Sequence, residues 1–500
     1  MTRKLLLSVI TLFAGAWSSH ATVQPHALFT DGCVLQRGMS VPVWGQAKAG
    51  AKVTVEFRGQ KVEAVADANS KWMVRLKKMD AGGPFTMTIR GDNTITLTNV
   101  CVGEVWVCSG QSNMGFALSN ANNAAAAIAA STDPQFRLFK VPLVAAESPQ
   151  GNVTATWQAS DPTSAAKFSA VAYFFGRDLR KQLGVPVGLI ESAVGGTPAE
   201  AWTDHATLES DPVLRAMFDR YAAIQKDYDQ EKAKAAYLKA RERYKQVAAK
   251  AKAEGKTPPR APRAPRDPVT GPKRPSVLYN GMIAPLEPFA ICGAIWYQGE
   301  SNAQYPKEYQ TLFPAMIGCW RKAWGLGNFP FLFVQIAPHQ GQPPEIREAQ
   351  FITLQKTKNT AMAVITDLGN ATNIHPTDKE PVGGRLALAA RALAYGEKIE
   401  YSGPVYKKMK VKDGKAILSF THVGNGLEAK KGVLKGFTVA AVASTNFVPA
   451  EATIVDDTVV VQSTVVKQPG AVRYGWANVP DVNLFNKEGL PATPFRTDVE

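Results

Sequence analysis

Hydrophobic positions follow two rhythms along this chain. Between residues 22 and 98 they alternate with polar ones, as in Val53-Thr54-Val55-Glu56-Phe57, Lys71-Trp72-Met73-Val74-Arg75-Leu76 and Phe85-Thr86-Met87-Thr88-Ile89, with Gly and Asp/Asn turns between. A period of two with regular turns predicts a small β-sandwich. In the middle, apolar runs become continuous and each ends in a polar, glycine-rich corner. Residues 102–108 run into Ser109-Gly110-Gln111-Ser112-Asn113-Met114, and residues 187–190 run on towards Gly195-Gly196-Thr197. Residues 291–297 run into Gln298-Gly299-Glu300-Ser301-Asn302, residues 331–336 into Ala337-Pro338-His339-Gln340, and residues 361–366 into Asp367-Leu368-Gly369-Asn370. Short unbroken apolar runs suit strands buried on both faces, as in a parallel sheet covered by helices.

Helical spacing falls between these runs, at 121–130, 170–183, 345–355 and 383–395. Strand-helix alternation predicts an α/β core over 99–397. The segment 205–275 interrupts it. Residues 211–254 are rich in Ala, Lys, Glu and Gln, and seven prolines follow within 256–275. The pattern predicts a helical hairpin or long helix with an extended return. Alternation resumes after 398, in 416–420, 437–440 and 458–462, and predicts a second β-domain over 398–500.

Composition adds boundary conditions. Five hundred residues, 45% hydrophobic and 20% charged, describe a globular chain of two to four domains and exclude overall disorder. Residues 1–21 have the form of an export signal: Arg3 and Lys4, a short apolar stretch over 5–16, and Ser19-His20-Ala21 as a cleavage site. The expectation is a secreted or periplasmic protein without a membrane span. The formal charge is +15, and 205–275 alone holds 17 Lys+Arg against 9 Asp+Glu. Such a local excess reads as a solvated helical face, and no nucleic-acid motif accompanies it. Cys33, Cys101, Cys108, Cys292 and Cys319 form no CxxC or CxxH spacing, so neither a structural zinc site nor any metal or cofactor is expected.

The chemistry collects at the corners, because ligands of open α/β sheets bind beyond the carboxyl ends of the strands. Ser112 follows a strand and precedes a predicted helix, whose N–H groups and dipole would favour an oxyanion; it also suits a plain helix N-cap. Gly195 and Gly196 let backbone N–H groups approach a ligand, and Gln298 and Asn302 offer amide donors. His375, fixed by Pro376, is the candidate general base, with His339 a weaker rival. The acid that would orient it is Asp367 first, with Asp378 and Glu300 as rivals, or no acid at all. Trp202, Trp296 and Tyr297 are candidate stacking surfaces for a sugar.

Gly110-Gln111-Ser112-Asn113-Met114, Gly195-Gly196-Thr197, 296–302, Ile374-His375-Pro376, Tyr474-Gly475-Trp476 and 489–496 together resemble the sialate O-acetylesterase family, a branch of the SGNH-type serine esterases. The resemblance implies a flavodoxin-like SGNH core, β-sandwich accessory domains and removal of acetyl groups from sugar hydroxyls. By matching position it makes Ser112 the nucleophile and His375 the base. The Ser112 N–H, an N–H at Gly195 or Gly196, and the Gln298 amide would form the oxyanion hole, with Trp202 and Asn302 as substrate contacts. Thr372 stands where many SGNH enzymes carry the acid. The implied substrate is an O-acetylated sialic acid. Acetylated xylan or xyloglucan, a non-catalytic carbohydrate-binding role, and a lipase or thioesterase activity are the competing readings.

Overall fold

The computed structural model describes residues 22–498 apart from 260, 263 and 266. The segment expected to be an export signal therefore lies outside the described residues.

One strand organises the molecule. It runs for 17 residues, Thr94–Gly110 (β1), and belongs to two sheets at once. Its first half pairs antiparallel with Gly82–Arg90, which continues into Lys52–Phe57 and Gln60–Val65. Its second half is the centre of a parallel sheet. The expected boundary at 98/99 thus falls inside a continuous strand. A second small antiparallel sheet, Gln24–Pro25, Val41–Gln46 and Lys71–Leu76, completes the N-terminal β-region. Its apolar core, including Val43, Val55 and Trp72, is continuous with one face of the central sheet.

The central sheet adds Asp133–Lys140 (β2), Val187–Ala193 (β3), Gly293–Tyr297 (β4), Phe331–Val334 (β5) and Thr360–Ala363 (β6), in the order β2-β3-β1-β4-β5-β6, all parallel. A short antiparallel strand, Gln158–Ser160, lies outside β2. Without β2, the order β3-β1-β4-β5-β6 is that of a doubly wound 2-1-3-4-5 sheet, and the direction in which successive strands are added reverses beside β1. Alternation explains why the runs read as continuous apolar sequence. Val105, Val107, Ala294, Trp296 and Phe333 face one core, and Trp106, Cys108, Ile295, Tyr297 and Leu332 face the other.

Helix Ala170–Leu183 (α1) starts where the Ser169 hydroxyl accepts from the Ala172 N–H and stops at Gly184. Pro212–Asp227 (α2) and Gln230–Ala253 (α3) belong to the insertion. Pro306–Trp324 (α4) and Pro344–Lys356 (α5) cover the face with Trp296, and Glu380–Leu393 (α6) joins α1 on the other. The insertion is not uniformly detached. Leu214 and Met217 of α2 are buried, and Arg220 pairs with Glu308 at 2.8 and 2.9 Å. By contrast, α3 buries no residue.

The C-terminal region holds two four-stranded sheets around a shared core that includes Leu418, Val459, Val439 and Val472. It docks beside the fourth corner of the central sheet. The fully buried Arg347 donates to the Ala477 carbonyl, Arg496 pairs with Glu348, and the His339 N–H donates to the Asn478 carbonyl at 3.2 Å. Among the described residues, no helix is long and apolar enough to cross a membrane.

Candidate active site

At the carboxyl end of β1 the chain turns at Gly110. Its φ is +139°, and a Cβ there would meet the Tyr297 carbonyl oxygen at 2.2 Å. Adjacent β4 therefore approaches the backbone as only glycine permits. The Gln111 N–H donates to that same carbonyl at 3.0 Å, and the Gln111 carbonyl accepts from Met114 and Gly115 at 3.0 and 2.9 Å. Ser112 sits half-buried at the tip of this turn. The helix expected over 121–130 is present as the six-residue Ala124–Ala129, but a 3₁₀ turn, Leu118–Asn120, comes first and sets it away from Ser112. The serine's environment comes from loop backbone rather than from a helix dipole.

Four residues beyond the Thr366 corner, side chains begin to build the loop that carries His375. Asn370 Oδ1 accepts from the Thr372 and Asn373 N–H groups at 3.0 and 2.9 Å, and Asn373 Oδ1 accepts from the His375 N–H at 3.0 Å. Pro376 follows, and the Thr377 carbonyl is tied to the Asn122 N–H at 2.9 Å. The loop delivers His375 Nε2 to 2.8 Å from Ser112 Oγ, across a separation of 263 residues. The spacing is that of a nucleophile and its general base.

Gly195, after β3, closes the third side. A Cβ on it would lie 3.2 Å from Ser112 Cβ. Thr197 clips this turn, its hydroxyl donating to the Val194 carbonyl at 2.7 Å and accepting from Trp202 Nε1 at 3.0 Å.

A buried polar cluster adjoins the pair, and its lysine carries no sequence signal. Lys379 Nζ donates to Asn113 Oδ1 at 2.6 Å, while Asn113 Nδ2 donates to Glu300 Oε1 at 2.6 Å and to the Ile374 carbonyl at 3.0 Å. Burial lowers Lys379 to about 7 and raises the Glu300 carboxyl above its ordinary range.

The chain matches the family model for a carbohydrate esterase, sialic acid-specific acetylesterase, over residues 102–239 and 272–391. It is 33% identical over 522 residues to the sialate O-acetylesterase of Mus musculus, with 92% of each protein covered. It is 32% identical over 510 residues to that of Homo sapiens, covering 91% of this chain and 88% of the human one. A crystal structure of a carbohydrate acetylesterase from Xanthomonas citri is 38% identical, with a TM-score of 0.81 over 96% of this chain and 100% of that one. This chain belongs to the sialic acid-specific acetylesterase family of carbohydrate esterases.

Within this esterase the corner residues divide into those that meet Ser112 and those that serve elsewhere. Asp367 presents both carboxylate oxygens to the Arg385 guanidinium at 2.7 Å, an ion pair that pins the corner after β6 to α6. That pairing engages both oxygens of its carboxylate. Burial raises the Asp378 carboxyl, helped by Glu380 and Asp367. Glu300 contacts Asn113, as above. The Gln298 amide directs its hydrogens to the Asn302 Oδ1 at 2.7 Å and the Thr197 carbonyl at 3.3 Å, while its oxygen accepts from Tyr309 at 2.9 Å. Both donors are engaged, so Gln298 braces the third corner instead of offering a hydrogen to an oxyanion. Asn302 accepts from the Ala199 N–H at 2.9 Å and donates to Glu200 at 2.8 Å, linking the second and third corners.

Trp202, Trp296 and Tyr297 are fully buried, so none presents a stacking surface. Trp202 and Trp296 pack edge to face at 6.0 Å under the sheet. Gly196 has φ +73° and open space where a Cβ would lie, a turn position beside the pair. His339 is held in its own turn, Nδ1 accepting from the Gly341 N–H at 3.0 Å.

Proposed function

We propose that this esterase removes O-acetyl groups from sugars, O-acetylated sialic acids in the first place, through an acetyl-enzyme on Ser112. The observation that carries the reading is the 2.8 Å contact between Ser112 Oγ and His375 Nε2 at the carboxyl edge of the parallel sheet. His375 takes the hydroxyl proton as Ser112 Oγ attacks the acetyl carbonyl. The oxyanion rests on the backbone N–H groups of Ser112 and Gly195, whose α-carbons the Cβ geometry brings together. The C–O bond to the sugar breaks, and the sugar oxygen leaves with the proton from the imidazolium. Water, deprotonated by His375, then releases acetate and restores Ser112.

Membership of the family and the sialate O-acetylesterase relatives support the substrate class. The β3-β1-β4-β5-β6 order supports reading the centre as an SGNH-type core, with the two-sheet regions at either end as accessory domains. Export, inferred from residues 1–21, would place the enzyme where it meets glycans.

Turnover of p-nitrophenyl acetate by Ser112→Ala tests the chemistry. We expect a loss of at least about a thousandfold in kcat with an unchanged unfolding transition. Near-normal turnover in that variant refutes the mechanism. Acetate release from a panel of acetylated sialosides and xylo-oligosaccharides tests the substrate, and preference for the xylo-oligosaccharides would move the assignment to plant polysaccharide.

A further inference from the structure

We propose that Asn113, oriented by Lys379 and Glu300, is the device that sets His375 on Ser112, which makes Asn113 and Lys379 positioning residues of the esterase reaction. The inference rests on the Ser112–His375 reading above.

Asn113 adjoins the nucleophile in sequence and is 1% exposed. An asparagine amide can turn over, exchanging its oxygen and nitrogen, unless its neighbours forbid it. Here they do. A carbonyl only accepts, so Ile374 requires the NH₂ group on its side, which leaves the amide oxygen to Lys379 Nζ, 2.6 Å away. The NH₂ group then faces two acceptors, Glu300 Oε1 at 2.6 Å and the Ile374 carbonyl at 3.0 Å. Ile374 immediately precedes His375, and Lys379 lies four residues after it. One side chain from the serine turn therefore grips the histidine loop on both sides of the imidazole.

Lys379 is fully buried, with its ammonium 5.0 Å from the centre of the Phe116 ring and 5.1 Å from that of Tyr297. The rings stabilise the cation and leave it little freedom to turn away from Asn113. A buried lysine is costly to desolvate, and removing it alone would leave the buried Asn113 oxygen without its donor. Its place is explained by what it holds: the amide, and through it the Ser112–His375 distance.

The test uses the full chain with p-nitrophenyl acetate and with the preferred acetylated sugar. Lys379→Met removes the donor and keeps the stem. Asn113→Asp keeps the shape and removes the donor to Ile374. Displacing a catalytic group by about 1 Å costs roughly a hundredfold in rate, so kcat is expected to fall by about that factor in Asn113→Asp and by about tenfold in Lys379→Met, with KM unchanged. The unfolding midpoint of Lys379→Met should fall, because the amide oxygen loses its donor, so kcat is read well below that midpoint, where loss of a merely structural lysine leaves the turnover of the folded enzyme unchanged. The rate at which a fluorophosphonate labels Ser112 should fall in parallel. Should Lys379→Met fail to fold, Asn113→Asp carries the test alone. Wild-type kcat in the folded variants, or a rise in KM with kcat intact, overturns the proposal. With Ser112→Ala run alongside, inactivity of that variant leaves the dyad standing when the clamp fails, whereas its activity removes both.

Discussion

Two glycines illustrate how single residues constrain this site. Gly110 and Gly195 both flank Ser112, yet they face different obstacles. A methyl group at Gly110 would lie 2.2 Å from the Tyr297 carbonyl, on a backbone with φ +139° that side chains disfavour. One at Gly195 would meet Ser112 Cβ at 3.2 Å, a squeeze that a small shift of the serine relieves. Gly110→Ala should therefore separate β1 from β4 and cost more than about 3 kcal/mol, measured by urea unfolding. Gly195→Ala should leave the urea midpoint almost unchanged and lower kcat by about tenfold or more, because it moves Ser112, the proposed nucleophile. Equal loss of stability in the two variants would contradict this distinction. Both glycines stand out in the sequence as the ends of apolar runs. Their different roles do not, because each depends on a strand more than 80 residues away in the chain, β4 for Gly110 and β1 for Gly195.

Among elements, the insertion combines a docked part with a free one. Charge and helical spacing predict helices over 205–275, and among the described residues His205–Ser210, α2 and α3 are helical, but the spacing does not say which of them bears load. Packing does. In α2, Leu214 and Met217 are buried and Arg220 reaches Glu308, whereas α3 has no buried side chain. The return segment comes back beside α2, where Tyr221 Oη donates to the Pro268 carbonyl at 2.9 Å and Gln225 donates to it at 3.4 Å. The ends of α3 and its return are therefore close enough for a short linker. Replacing 229–266 by a flexible Gly-Ser linker should leave the thermal midpoint and p-nitrophenyl acetate turnover unchanged, since α3 buries no side chain. A large drop in either would show that α3 supports the core. Two core elements are hard to read locally. Asp133–Lys140 mixes charges into its alternation, and Pro306–Trp324 carries Pro314 within the helix. Each is held by its neighbours: β2 by pairing with β3, and α4 by burying Tyr309, Phe313, Trp320 and Trp324.

Across the whole molecule, the N-terminal β-region and the central sheet share one core, and the buried His26 lies against Trp44, which packs on that core. Its Nδ1 accepts from the Leu28 N–H at 3.1 Å, its ring lies 5.0 Å from Trp44, and burial lowers its pKa to about 4. Between the ordinary value near 6.5 and about 4, the unfolded chain binds this proton and the folded one does not. The contribution is complete above pH 6.5 and is lost as pH falls towards 4, a change on the order of 3 kcal/mol. Burial raises Glu287 nearby to about 7, which opposes the trend, since a raised carboxyl favours the fold at low pH and loses that effect as pH rises towards 7. The comparison is therefore between proteins: His26→Gln should flatten the acid side of the urea stability profile relative to wild type. An unchanged slope would mean that His26 is not held neutral. What the sequence determined on its own was the inventory at one sheet edge. Apolar runs and glycine corners are local patterns, so the strands, the edge and the identities of Ser112 and His375 could be read directly. The three-dimensional fold decided who touches whom. It set Ser112 against His375 across 263 residues, turned Asp367 to Arg385, engaged both Gln298 donors and sank Trp202 beneath the sheet. The physical reason is that a hydrogen-bond partner or a degree of burial belongs to whatever packs against a residue, and in a doubly wound sheet those neighbours come from distant parts of the chain.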